Sequence, residues 1–138
     1  MRRIIITALG LLIALAAYSQ VNAPQKKDGP AIAFEQATFD FGDLTQGDRV
    51  EHTFKFTNTG SKPLIITNVE VTCGCTTPKG WPRDPIQPGG KGELLIAFNS
   101  AGKYGRQNKV VTVVSNSVEG NSQVTFTANV LEKKAPNQ

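Results

Sequence analysis

Two cysteines, Cys73 and Cys75, and one histidine, His52, are the side chains from which any chemistry in this chain would have to be built. The cysteines lie in V-E-V-T-C-G-C-T-T-P at 69–78, with only Gly74 between them. Four roles are open to such a pair: a redox couple, ligands of a soft metal, a local staple, or small apolar groups in the core. In an ideal strand, residues i and i+2 stand about 6.6 Å apart at Cα, near the upper limit for a disulfide. Joining them needs a bend, and Gly74 is the residue able to bend freely. A ring so small is expected to be strained and easily reduced. That suits thiol–disulfide exchange and equally an incidental oxidised state.

Two thiolates on one strand face can instead hold Cu(I), which accepts few soft ligands. Structural zinc wants four ligands, more than two cysteines and one histidine supply. A Cys–His pair is opposed by distance. Counting from the turn at Gly60, His52 is about 26 Å back along one strand and Cys73 about 43 Å forward along the next. His52 is therefore expected to be a core histidine, hydrogen-bonded to a backbone carbonyl. With one histidine and no paired acids at an obvious site, no enzyme is expected. Trp81, followed by Pro82 in G-W-P-R, is read either as a packed lid over the cysteine end or as an exposed contact for a partner.

The elements that must position these residues are strands. From Ile32 onward no helical period is visible; short runs rich in Val, Ile, Thr and Phe alternate apolar with polar positions. Strands are expected near 32–41, 49–57, 64–73, 92–98, 108–115 and 122–132, with a short edge segment near 84–87. Asn58 to Pro63 and Pro88-Gly89-Gly90 supply turns, with Gly60 offered for positive φ. About seven short strands at this spacing predict an all-β fold, an immunoglobulin-like antiparallel β-sandwich. Parity places Val50, His52, Phe54 and Phe56 on one face, and Val124, Phe126, Ala128 and Val130 on another. Ile65, Thr67, Val69 and Val71 share a face, and the same parity carries Cys73 and Cys75 toward the core.

The N-terminus reads as an export signal. Arg2 and Arg3 precede the apolar run from Ile4 to Ala17, and small residues follow, with cleavage expected after Ser19. The run is shorter than the roughly 20 residues that span a bilayer, so no membrane span is expected after cleavage. Met1, the sole methionine, would leave with the signal, so no thioether would assist Cu(I). No cysteine near the cut offers a lipid attachment. Residues 20–31 read as a flexible leader, 32–132 as the domain and 133–138 as a tail. Between 32 and 132 the chain carries nine basic and ten acidic residues, so the basic isoelectric point of about 9.2 comes from its ends. Nothing resembles a nucleic-acid footprint, which needs a clustered basic face. The mature protein is expected in the periplasm or secreted.

Several segments together resemble one bacterial family. They are F-D-F-G at 39–42, G-D-R-V-E-H-T-F-K-F-T-N-T-G at 47–60 and P-L-I-I-T-N-V-E-V-T-C-G-C-T-T-P at 63–78. W-P-R-D-P-I-Q-P-G at 81–89, F-N-S-A-G-K-Y-G at 98–105 and N-K-V-V-T-V-V-S-N at 108–116 complete the set. The pattern is similar to the 1573 family of domains of unknown function, exported proteins with the immunoglobulin-like fold of major-sperm-protein and Hydin-type domains. The resemblance implies fold, export and a C-G-C signature, and brings no catalytic activity with it. The expected function is that of a non-catalytic binding or structural module of the cell envelope, with an unidentified envelope protein as partner and no cofactor. Its contact surface is expected at the C-G-C end, residues 73–87, or at an open sheet edge. The alternative is a periplasmic thiol-redox or Cu(I)-binding protein that uses Cys73 and Cys75.

Overall fold

Strict alternation of buried and exposed residues organises the last strand: Val124, Phe126, Ala128 and Val130 are all buried, while the residues between them are not. The same period recurs through the computed structural model, which describes residues 25–136. The expected signal segment 1–19 and the first leader residues lie outside the described residues. Eight strands follow in chain order: β1 (Ile32–Phe34), β2 (Thr38–Thr45), β3 (Arg49–Asn58), β4 (Ile66–Val71), β5 (Thr76–Gly80), β6 (Lys91–Asn99), β7 (Gly105–Ser115) and β8 (Ser122–Leu131). They form two four-stranded sheets in the orders β1-β3-β6-β5 and β2-β8-β7-β4. Their inner faces pack Phe54, Phe56, Leu94, Ile96 and Phe98 against Val111, Val113, Val124, Phe126 and Val130. This is an immunoglobulin-like β-sandwich.

Three departures from simple alternation shape the molecule. The first expected strand is two: residues 35–37 carry the chain from one sheet to the other, so β1 pairs with β3 while β2 pairs with β8. That second pairing is parallel, which makes one sheet mixed. In β4 the register shifts between Ile66 and Asn68, leaving Thr67 and Asn68 both exposed and inverting parity upstream. Ile66 is therefore buried and Ile65 is exposed, contrary to the expected face, while Val69 keeps it. The segment 76–80 is a strand that was not among those expected. Pro78 is tolerated there because β5 is an edge that pairs only with β6. The edge segment expected near 84–87 is a single bridge between Leu64 and Ile86.

Residues 27–31, expected within a loose leader, are held against the sandwich. Lys27 bridges to Gly60, Ser61 N–H donates to Gly29 O, Val118 N–H to Pro30 O and Thr59 N–H to Ala31 O. Gly60 serves this contact rather than a positive φ: a Cβ there would lie 1.9 Å from the Gly29 carbonyl oxygen and 2.6 Å from the Ala31 nitrogen. Asn58 locks the same corner. Fully buried, it accepts from Gly60 N–H at 2.9 Å and Ala31 N–H at 3.3 Å, and donates to Lys62 O at 2.8 Å and Ile86 O at 2.9 Å. A buried amide with all its polar valences filled specifies one arrangement of the segments it touches.

Candidate functional site

The chain leaves β4 in one sheet and enters β5 in the other, so the four residues between must turn across the end of the sandwich. Cys73, Gly74 and Cys75 lie in that crossover. Thr76 N–H donates to Cys73 O at 3.0 Å, which closes a β-turn and draws the two cysteine Cα atoms to 5.2 Å. The sulfurs are joined as a disulfide. The turn, rather than a glycine conformation, makes the bridge reachable, because φ of Gly74 is not in the left-handed region. Beyond its two chain neighbours, a Cβ at Gly74 would meet no atom within 4 Å. Cys75 N–H also points at Cys73 Sγ, 3.2 Å away. Closing so short a loop removes little chain entropy, about 1.5 kcal/mol, so the bridge is a minor staple.

The expectation that both cysteines face the core needs correction. Each is half-buried, and Cys75 shares the parity of exposed Thr77 and Lys79 while Thr76 turns inward. Cys75 packs partly against the core and is also among the residues that line an outer recess of about 350 Å³. Arg49, Glu51, Gly74, Thr77 and Lys79 contribute further walls. Lys79 Nζ pairs with Glu51 across the recess, and Arg49 makes no ion pair among the described residues. The alternation that turns Val50 and His52 inward puts Arg49 and Glu51 on the outer face. Their meeting with Lys79 was not legible, because β5 itself was not recognised.

His52 takes its expected inward side, yet it has a different partner. Its ring stacks on Phe39 with centroids 3.6 Å apart and meets Phe54 edge-on at 4.7 Å. The expected hydrogen bond to a backbone carbonyl is replaced by this aromatic cluster, and burial there pushes the imidazole pKa below its ordinary 6.5. His52 is level with Ile96, whereas Cys75 accepts from Asn99 N–H on the same strand. Three residues along and two strands across separate the imidazole from the disulfide by about 14 Å. His52 and the cysteines are not one site.

Trp81 and Pro82 do not cover the cysteines either. They follow Gly80 at the opposite end of β5, about 20 Å from Cys75 at strand rise. Both are half-buried; the Trp81 ring packs on the core, its Nε1 is buried without a partner among the described residues, and Arg83 Cζ sits 3.8 Å above its centroid. The surface expected over 73–87 is thus two places, one at each end of β5. Among the described residues no group of three or more His, Cys, Asp or Glu side chains is placed to hold a metal ion. No helix among them is long and apolar enough to cross a membrane.

The sequence model of the 1573 family, described as a protein of unknown function, matches residues 32–130. No curated protein matches the chain. Among solved structures, a protein of unknown function from Porphyromonas gingivalis W83 is similar with a TM-score of 0.64 and 19% identity, over 80% of this chain and 51% of that one. The secreted serine protease VesC from Vibrio cholerae gives 0.60 and 16%, over 77% of this chain and 24% of its own. PapD-like domain 7 of human CEP192 gives 0.58 and 12%, over 86% and 98%. The chain therefore spans about half or less of the first two, and the likeness in all three is one of fold.

Proposed function

Given that the chain belongs to the 1573 family of proteins of unknown function, we propose that it is an exported, non-catalytic binding module of the cell envelope that contacts a protein partner at the Cys-Gly-Cys end. The observation that carries this reading is the recess beside Cys75, which joins an apolar wall to uneven charge. Lys79 and Glu51 neutralise each other there, which leaves the Arg49 guanidinium as the excess charge. A planar guanidinium with free donors suits a carboxylate on the partner. About 350 Å³ accommodates one or two side chains, the scale of an anchor on a protein surface.

Export is supported by the basic, apolar and small-residue order of residues 1–19, the pattern of a secretory signal, and in this reading the module works in the periplasm or outside the cell. The reading needs no cofactor. The Cu(I) alternative requires two thiolates, so the disulfide would have to be reduced before Cys73 and Cys75 could hold the ion.

Photo-crosslinking in the native envelope tests the proposal. A crosslinking residue at Thr77, on the recess wall, should give discrete adducts, and one at Gln123, exposed on the other sheet, should not. Equal yields from the two positions, or none from Thr77, would sink it.

A further inference from the structure

Which sulfur a visiting thiol would meet is decided by the walls of the recess. Cys75 lines it and Cys73 does not. Gly74 lines it as well, with a φ outside the left-handed region and nothing beyond its chain neighbours within 4 Å of where a Cβ would be. The glycine is therefore not demanded by the turn; its effect is to leave the approach to Cys75 unobstructed. The two sulfurs are held differently: Cys75 Sγ has only a long contact, 3.9 Å, to the neutral Thr76 hydroxyl. Cys73 Sγ accepts the Cys75 N–H at 3.2 Å, and an N–H aimed at a sulfur stabilises it as a thiolate. A sulfur so stabilised is the better leaving group in exchange.

We propose that the Cys73–Cys75 disulfide is a covalent latch for a protein partner that carries a reactive thiol, opened by attack on Cys75 Sγ with Cys73 leaving as thiolate. The partner's thiolate forms a new S–S bond to Cys75 Sγ as the Cys73–Cys75 bond breaks, and the electron pair of that bond goes to Cys73 Sγ. No net oxidant or reductant is consumed: one disulfide and one thiolate become another disulfide and another thiolate. The reverse attack by Cys73 Sγ on Cys75 Sγ expels the partner and restores the bridge, so the latch releases by the same chemistry. The Arg49 guanidinium on the recess wall, the charge left over once Lys79 and Glu51 pair, favours approach of an anionic thiolate. The proposal rests on the recess being the partner's docking surface, and adds to it which bond forms there.

The test uses the mature chain with glutathione as the probe thiol, a rapid maleimide quench, and fragment-ion sequencing across residues 73–75. Glutathione should be found on Cys75 and maleimide on Cys73, at least about fivefold over the reverse pattern. Gly74→Val, whose Cβ would meet nothing within 4 Å beyond its chain neighbours, should slow adduct formation at least about threefold while thermal unfolding is unchanged. An even or reversed distribution, no adduct, or a Gly74→Val rate equal to the parent overturns the latch. Crosslinking from Thr77 in the Cys73→Ser, Cys75→Ser double variant separates the two readings. If it persists when the latch fails, docking at the recess still stands; if it vanishes, docking itself fails.

Discussion

Replacing Asn58 by alanine removes four hydrogen bonds from a fully buried corner, and the loss can be apportioned bond by bond. The Ala31 and Gly60 N–H groups are buried and have Asn58 Oδ1 as their partner, so both are orphaned. Ile86 O keeps the Leu64 N–H at 2.8 Å, and Lys62 is exposed enough for water to replace the amide. Two stranded donors at about 1–2 kcal/mol each, with smaller losses at the two carbonyls, put the cost near 4 kcal/mol. Domains of this size are stable by about 5–15 kcal/mol in all, so the variant should be close to its threshold at 37 °C. Urea unfolding at pH 7 is the assay, and the midpoint should fall while the slope stays constant. Asn58→Asp sharpens the test by setting a carboxylate oxygen against the Lys62 and Ile86 carbonyls. It should be worse than alanine at pH 7 and recover part of the loss at pH 4. An alanine variant within 1 kcal/mol of the parent would refute the reasoning, as it would mean the corner refills its hydrogen bonds from solvent.

Four further outcomes are expected. The folded state lowers the His52 pKa, so the unfolded chain binds more protons near that pKa, and stability falls as pH drops from above 6.5 through the lower folded value. His52→Phe should flatten the fall in melting temperature between pH 7.5 and 5, and an unchanged slope contradicts it. Gly60→Ala should cost about 3 kcal/mol or more, because the added methyl meets backbone rather than a movable side chain. In contrast Gly74→Ala should be neutral or add about 0.5 kcal/mol by stiffening the unfolded chain, and denaturant titration of the two variants side by side decides both. Reduction of the disulfide should lower stability by no more than about 1.5 kcal/mol and leave the β-sheet circular dichroism intact.

Much of the architecture was legible wherever alternation is uninterrupted. The inward faces of β8 and β3 were read residue for residue, including the inward turn of His52 among phenylalanines. Local events that alternation cannot register were missed. The shift between Ile66 and Asn68 reverses parity without any Gly or Pro to announce it. The sheet switch at 35–37 hides inside what looks like one strand, and β5 hides behind Pro78 and Gly80, which argue for a loop unless the strand is known to be an edge. Asn58 reads as an ordinary turn residue because two of its partners, Ala31 and Ile86, lie 27 and 28 positions away. At the site, the spacing of the cysteines left their pairing open, and the i to i+3 turn from Cys73 to Thr76 made it geometrically available. Trp81 was misplaced for a related reason: without β5, nothing put the length of a strand between it and Cys75.

The four sheet edges are unevenly guarded, and that bears on how the chain behaves in concentrated solution. The three residues of β1 offer little to copy; β2 breaks its register between Asp40 and Asp43; β5 carries Pro78, Lys79 and a further shift. In contrast β4, beyond its shift between Ile66 and Asn68, has neither proline nor lysine and runs in regular register from Asn68 to Val71, with Glu70 its only charge. Self-association of the native chain should therefore begin along β4, adding strand to strand without any unfolding. A lysine at position 68 would raise the concentration at which clouding sets in, at no cost to the core.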